Sequence, residues 1–148
     1  MRVVSIREPY ATLIKNKIKY IETRSWNTHY RGEIYIHSCK GKYPIKEKIK
    51  HLVKADELKY GYIMCKANLV DCVFIDKEFA EKIKNENYDN YLCGDYSEGR
   101  YAWIISDIEV LDNYIPANGQ LSIWNYDPNN NERWIRKDGG KENKTRTI

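Results

Sequence analysis

One short segment organises the rest of this chain, and it reads Lys17-Ile18-Lys19-Tyr20-Ile21-Glu22-Thr23-Arg24-Ser25-Trp26. Its β-branched and aromatic residues favour a strand, yet it also carries a high density of ion-pairing groups. Strand alternation places Ile21 and Thr23 on one face, and the opposite face then holds Ile18, Tyr20, Glu22, Arg24 and Trp26. That face combines flat rings with an acid and a fixed cation, as a ligand-binding floor would. A solvated strand face with ordinary surface charges is the alternative.

The position of Lys19 decides whether this segment forms one site. A regular strand points Lys19 away from Glu22, because successive side chains alternate between faces. The two groups meet only if Lys19 lies in the turn that enters the strand. A shared ammonium–carboxylate site therefore requires the strand to begin after residue 19.

The length of 148 residues is typical of a single domain that buries about two-thirds of its unfolded surface. An aromatic content of 13%, mostly tyrosine, supplies a core and excludes a wholly disordered chain. We predict one domain over residues 1–126. The polar, basic stretch 127–148 is predicted to be a mobile C-terminal tail, in which Trp134 and Ile135 are candidates for docking a short helix.

No apolar run is long enough to span a bilayer, and the N-terminus lacks a signal-peptide pattern. We therefore expect a soluble, cytoplasmic protein without a membrane partner. The four cysteines are widely spaced and form no Cys-x-x-Cys pair, so we expect reduced thiols and no structural zinc. No motif indicates a cofactor, a bound metal or a particular oligomeric state.

The charges are distributed unevenly along the chain. Residues 1–60 carry 14 Lys and Arg against 6 Asp and Glu, whereas residues 61–126 carry 5 against 11. A basic half beside an acidic half suggests a polyanionic partner on one side of the molecule. Two complementary surfaces that pair within the fold are the alternative.

The apolar patterning predicts about six strands, mostly antiparallel by connection length, and about three helices, which is a small α+β fold of the barrel type. Helices are predicted from Pro9, around Ile45 to Val53, and after the N-cap Asp76. Asn16 is predicted to end the first helix in a left-handed conformation. The polar segment 85–99 is predicted to be a long loop, and long loops in compact domains are often functional lids.

Several ordered blocks of the sequence match one known family together. Lys19, Glu22 and Arg24 fit the pattern Gly-x-Lys-x-x-Glu-x-Arg at the right spacing, although Lys17 stands where glycine is usual. The further matching blocks are Ser5-Ile6-Arg7-Glu8-Pro9-Tyr10-Ala11, Tyr30-Arg31-Gly32, Ile34-Tyr35-Ile36-His37, Tyr101-Ala102-Trp103 and Gly119-Gln120-Leu121-Ser122-Ile123-Trp124. In these blocks the chain resembles the ASCH domain family, a branch of the PUA-like superfamily.

The resemblance implies a PUA-like pseudo-β-barrel with a cleft beside residues 19–24 that binds RNA or a modified nucleotide. In such a cleft Arg24 clamps a phosphate or orders Glu22, whose carboxylate accepts hydrogen bonds from a base edge. Stacking candidates are Tyr10, Trp26, Tyr101 and Trp103, although a core position is favoured for Trp103 and is an equal alternative for Tyr10 and Trp26. The predicted ligand-binding set is Tyr10, Lys19, Glu22, Arg24, Trp26, His37 and Tyr101.

An enzymatic alternative follows from the same resemblance, because some small family members resemble N(4)-acetylcytidine amidohydrolases. In those enzymes a threonine nucleophile stands where this chain has Glu22, while Lys19 matches the activating lysine. Without that hydroxyl the usual acyl transfer fails, which leaves Lys19 and Glu22 as a candidate acid–base pair acting on water. A metal-assisted ribonuclease is a further alternative, with Glu22, His37 and Asp71 as candidate ligands, although their spacing matches no recognised ligand pattern. We rank a binding module first and a hydrolase of modified nucleosides or RNA second.

Overall fold

The computed structural model describes residues 1–129. Within these residues the strands are β1 (Arg2–Ile6), β2 (Ile21–Arg24), β3 (Gly32–Ser38), β4 (Tyr62–Phe74), β5 (Tyr101–Pro116) and β6 (Ile123–Asn125). The α-helices are α1 (Tyr10–Lys15), α2 (Lys77–Glu86) and α3 (Tyr88–Leu92). Two 3-10 helices, Glu47–Leu52 and Ala55–Glu57, lie between β3 and β4.

The strands form one mixed sheet in the order β2-β5-β4-β3-β1-β6. β1 and β3 run parallel, whereas the remaining neighbours pair antiparallel. Register shifts interrupt the long β4–β5 ladder, and irregularities of this kind bend strands and increase their twist. The sheet curls into a half-barrel, which confirms the predicted α+β, PUA-like pseudo-barrel.

Separate apolar clusters attach the helices to the sheet. α1 packs Ala11 and Ile14 into the main core, against side chains of β1, β3, β4 and β5. A second cluster holds α2 and the segment after α3 against the sheet, and it contains Ile21, Ile75, Ile83, Tyr96 and Ala102. A third cluster joins α1 to the first 3-10 helix and the end of α3 through Leu13, Ile49, Val53, Leu58 and Cys93. Through these clusters, α1, the first 3-10 helix and the end of α3 meet beside β2.

The turn between α1 and β2 differs from the prediction in one residue. Lys17 has a φ of 66°, whereas Asn16 has a φ of −82°. Lys17 itself thus takes the left-handed conformation at the usual glycine position, and the assignment to Asn16 was wrong. The amides of Ile18 and Lys19 both donate to the carbonyl of Leu13, at 3.0 and 3.1 Å. This tight turn returns Lys19 to the side of α1 before the strand begins.

Because β2 begins only at Ile21, the predicted strand face is shorter than expected. Glu22 and Arg24 share a face, but Ile18 and Tyr20 precede the strand and pack into two different apolar clusters. The predicted strand began too early in the sequence, because residues 17–20 form the turn that positions Lys19.

Two helical predictions need correction. The apolar stripe from Ile45 to Val53 buries Ile49 as expected, but it forms the short 3-10 helix and no full α-helix. The predicted loop 85–99 contains α3, whose start is capped by Asn87: its Oδ1 accepts from the amide of Asn90 at 3.0 Å. A five-residue helix shows too few turns to leave a periodic pattern in the sequence.

The candidates Trp134 and Ile135 lie outside the described residues, and the domain boundary at residue 126 stays a prediction. All four cysteines are free thiols. Within residues 1–129, no helix combines the length and apolarity that crossing a bilayer demands.

Candidate functional site

An open cavity of about 710 Å³ lies beside β2. Its walls come from the end of β1, the start of α1, β2 itself, the segment around the first 3-10 helix, and the stretch that includes the end of α3. The lining residues are Ser5, Ile6, Arg7, Tyr10, Lys19, Glu22, Thr23, Arg24, Lys46, Lys48, residues 91–97 and Arg100. The volume is within the range of small-molecule binding sites.

Lys19 lies at the buried end of this site, with an exposed fraction of 1%. Its Nζ donates to the carbonyl of Ile21 at 2.7 Å and to that of Cys93 at 2.8 Å. The same nitrogen lies 3.4 Å from Oε1 of Glu22. Two of the three donors of this nitrogen are thus hydrogen-bonded to carbonyl oxygens, and the Glu22 carboxylate lies within ion-pair distance. Lys19 therefore joins β2 to the segment after α3 and holds the carboxylate in place.

Glu22 lies between two cations. Oε1 faces Lys19, while Oε2 accepts from Nε of Arg24 at 3.2 Å. Arg24 also donates to the carbonyl of Ser5 at 2.9 Å, which links β2 to β1 although the two strands are not neighbours in the sheet. Its guanidinium lies 5.5 Å from the ring centroids of both Trp26 and Trp103. The acid and the guanidinium are consequently fixed before any ligand arrives.

Four further basic residues line the cavity and were not among the predicted site residues: Arg7, Lys46, Lys48 and Arg100. With Lys19 and Arg24 they make six basic side chains, against the two acids Glu22 and Asp95. The signal for three of them was the basic excess of the first 60 residues, which carried no spatial information. In the folded structure, part of this basic excess converges on the cavity, and positive charge concentrated in a concave site favours anions.

The stretch after α3 forms the wall opposite the motif residues. The amide of Asp95 donates to the hydroxyl of Thr23 at 2.9 Å, and Arg100 donates to the Thr23 carbonyl at 3.1 Å. Hydrogen bonds from Ser97 lower the pKa of the Asp95 carboxyl, which keeps it ionised. Thr23 borders the cavity although strand alternation placed it on the opposite face from Glu22, because β2 is an edge strand and this wall wraps around it.

Tyrosine rings supply the apolar surface of the cavity. Tyr10 projects from the start of α1, and Nζ of Lys19 lies 5.5 Å from its ring centroid. Desolvation by burial raises the pKa of Tyr10, so its hydroxyl stays protonated at neutral pH. Tyr91 and Tyr96 belong to the opposite wall. The cavity thus offers a fixed carboxylate, several cations and flat rings within one space.

A family model for the ASCH domain matches residues 4–118. This chain belongs to the ASCH domain family. The matched range contains every residue that lines the cavity. The ASCH family is a PUA-like family associated with RNA binding, so nucleic acid is the ligand class that membership indicates.

Two curated relatives share low identity with this ASCH domain. Activating signal cointegrator 1 of Mus musculus is 24% identical over 136 residues, which cover 84% of this chain and 22% of that protein. Activating signal cointegrator 1 of Homo sapiens is 23% identical over 136 residues, with the same coverage of both chains. The chain therefore spans about a fifth of the length of the curated relatives it matches.

Of the residues predicted from the ASCH resemblance, the structure brings Tyr10, Lys19, Glu22 and Arg24 into the cavity lining, and it places the other three elsewhere. Trp26 is 45% exposed beyond the end of β2, edge-on to Trp103. Tyr101 packs edge-on against Phe74 at a centroid distance of 5.7 Å.

His37 is fully buried on the opposite face of β3 from Ile36. Its Nε2 donates to the carbonyl of Ala117 at 2.8 Å, and its Nδ1 lies 3.0 Å from Oγ of Ser5. The ring packs edge-on against Trp124. Alternation correctly separated His37 from Ile36, but the chain around Ala117 and Trp124 covers this face, so the residue is a structural connection behind the cavity.

The candidate metal ligands of the ribonuclease alternative are not assembled. Asp71 forms an exposed ion pair with Arg31 at 3.6 Å, His37 is buried among the groups described above, and Glu22 lies between its two cations. Across residues 1–129, no group of three or more His, Cys, Asp or Glu side chains is arranged to hold a metal ion.

Proposed function

We propose that this ASCH domain binds a nucleotide unit of single-stranded RNA, unmodified or modified, in the cavity beside β2. The observation that carries the proposal is the lining itself, in which six basic side chains and a preorganised carboxylate surround a space bordered by tyrosine rings. Proteins that bind single-stranded RNA hold phosphates with Lys and Arg and stack bases on aromatic faces. Membership of the ASCH family supports the same ligand class.

The cavity residues divide into four roles. Arg7, Lys46 and Lys48 are exposed at the rim, and they contact the phosphates of the bound strand. Glu22 recognises the base, because its carboxylate retains acceptor capacity beyond its two cation partners and accepts from an exocyclic amine. Tyr10 provides a flat surface for the base. Lys19 and Arg24 hold Glu22 in position.

Hydrolysis stays a prediction of the family resemblance. A general base needs a free acceptor site facing the substrate, whereas Nζ of Lys19 is buried, donates to two backbone carbonyls and forms an ion pair with Glu22. Thr23 borders the cavity, and its hydroxyl accepts a hydrogen bond from the Asp95 amide. It stands one residue after Glu22, however, and Glu22 occupies the position of the threonine nucleophile in the amidohydrolases. Incubation with N(4)-acetylcytidine, followed by mass spectrometry of the nucleoside, tests this alternative directly.

The test of the binding proposal is base selectivity. At low salt, calorimetry with the 5′-monophosphates of cytidine, adenosine and uridine should show tighter binding of the two bases that carry an exocyclic amine. A well-placed carboxylate–amine pair contributes about 1–3 kcal/mol of discrimination. Glu22→Gln should reduce this preference, because the amide accepts through one oxygen and carries no charge.

Glu33→Gln is the matched control, since Glu33 is an exposed acid on β3 that faces Lys66 at 3.6 Å. This variant should keep the wild-type order of affinities. If the wild-type protein binds all three nucleotides with equal affinity, and Glu22→Gln does the same, Glu22 does not recognise the base. A complete lack of nucleotide and oligonucleotide binding by the wild-type protein would overturn the proposed function.

A further inference from the structure

We propose that the exposed ring of Tyr88 stacks a second base of the bound single-stranded RNA, next to the nucleotide held in the cavity. This inference rests on the proposed function and extends it from one nucleotide to a short strand. It concerns the segment 85–99, which the sequence suggested as a functional lid and which instead carries α3.

Three tyrosines form a continuous offset stack at α3. The ring centroids of Tyr88 and Tyr91 are 6.1 Å apart with planes inclined by 17°. Those of Tyr91 and Tyr96 are 5.0 Å apart with planes inclined by 25°. Both distances fall in the range of favourable aromatic pairs. Tyr91 and Tyr96 line the cavity, so the stack leads outward from the site already described.

Exposure increases along this stack. Tyr96 is 8% exposed, whereas Tyr88 at the outer end is 55% exposed. The inner rings therefore serve as cavity wall, while the outer ring presents a planar surface to solvent. Nucleobases stack on such surfaces with little dependence on sequence, because every base has a π-face.

One lysine lies beside the stack, and another lines the cavity that the stack borders. Nζ of Lys84 lies 5.9 Å from the ring centroid of Tyr91, and Lys48 lines the cavity on the side of the 3-10 helix. The neighbouring acid Asp89 faces His51 at 3.9 Å. A strand that leaves the cavity towards Tyr88 thus passes cations suited to its linking phosphates. The geometry selects single strands, because bases stacked within a duplex cannot reach the ring.

The experiment is a length series of oligoribonucleotides, from one to four residues, of the base that binds best as a monophosphate. The wild-type protein should show a step in affinity of roughly 5- to 150-fold at the length that reaches Tyr88, equivalent to 1–3 kcal/mol per stacked base. Tyr88→Ala should remove this step and leave the affinity for the monophosphate unchanged. Tyr88→Phe, which keeps the ring, should retain the step.

A second ligand separates stacking from phosphate binding. An oligonucleotide with an abasic residue at the stacking position should bind the wild-type protein as weakly as the shorter strand does. If the abasic strand keeps the full step, or if Tyr88→Ala keeps it, the Tyr88 site is overturned while nucleotide binding in the cavity survives. If no nucleotide or oligonucleotide binds the wild-type protein, the proposed function fails and the Tyr88 site fails with it.

Discussion

At the scale of single residues, Lys19 shows how a buried charge organises the site. The side chain is 99% removed from solvent and reaches two backbone carbonyls and one carboxylate from different parts of the chain. Burying an ammonium is favourable only when its donors are satisfied and an opposite charge is near. The residue therefore joins the walls of the cavity to one another.

Lys19→Met tests this role. The variant leaves the carbonyls of Ile21 and Cys93 without their donor and Glu22 without one of its two cations, so we expect a loss of about 3–5 kcal/mol in unfolding free energy by chemical denaturation. Lys66→Met is the control, because Lys66 makes only partly exposed ion pairs with Glu33 and Glu109 and should have a much smaller effect. Equal losses in the two variants would contradict the organising role of Lys19.

His37 makes the stability depend on pH. Burial lowers the pKa of this imidazole; the hydrogen bond to the Ala117 carbonyl opposes this shift without reversing it, and the nearby Lys40 adds to the lowering. The unfolded chain therefore binds a proton more readily than the folded protein as pH falls below the ordinary histidine value of 6.5. The stabilising contribution is complete above that pH and declines as pH falls towards the lowered folded value.

Denaturant unfolding at pH 7.5 and pH 5.5 measures this linkage. Wild type should lose more stability between the two values than His37→Gln, which cannot take up the proton. The exposed histidines and the carboxyl groups are common to both proteins, so their contributions cancel in the comparison. A pH dependence that is identical in wild type and variant would show that His37 is not the group responsible.

At the scale of elements, the sequence located β2 and the motif within it but not the wall that completes the cavity. Long elements leave a clear pattern in the sequence, so β4 and β5 were predictable. The cap at Asp76 was predictable from its residue type, and its carboxylate does accept from the amide of Phe79 at 2.8 Å. The position of α3 depends on contacts distant in sequence. Asn90, fully buried, accepts from the amide of Tyr20 at 2.8 Å and so attaches α3 to the entrance of β2.

Strand alternation predicted the side-chain orientations within β2 but not which other segments pack against this strand. Glu22 and Arg24 share a face as alternation requires, whereas Thr23 reaches the cavity because β2 is an edge strand with a loop folded around it. The indole ring of Trp26 is suited to stacking, but the residue follows the end of β2 and does not line the cavity. The uneven charge of the sequence suggested a polyanionic partner, while the loops decided which rings line the cavity.

At the scale of the whole molecule, the uneven charge along the chain becomes an uneven charge in space. Five of the six basic residues in the cavity come from the first 60 residues, and Arg100 comes from the acidic half. The same acidic half also supplies Asp95 on the opposite wall. Some charges therefore pair within the fold, as Arg31 and Asp71 do, and others converge on the cavity, while the polyanionic partner stays a prediction.

This arrangement predicts a steep salt dependence of RNA binding. Displaced counterions make the logarithm of the association constant fall linearly with the logarithm of salt concentration, with a slope of about −0.7 for each phosphate contact to a single strand. Replacing both Lys46 and Lys48 by Gln should therefore make the slope shallower by about 1.4. Fluorescence anisotropy with a labelled short RNA at several salt concentrations measures both slopes.

Lys50→Gln is the control for this comparison. Lys50 belongs to the same 3-10 helix but forms an exposed pair with Glu47 at 3.1 Å and does not line the cavity. A general effect of net charge would change the slope in this variant too, whereas phosphate contacts confined to the cavity leave it at the wild-type value. If RNA affinity is independent of salt concentration in the wild type, the double variant and Lys50→Gln, phosphate binding does not drive recognition. The basic residues of the cavity would then have a structural role only.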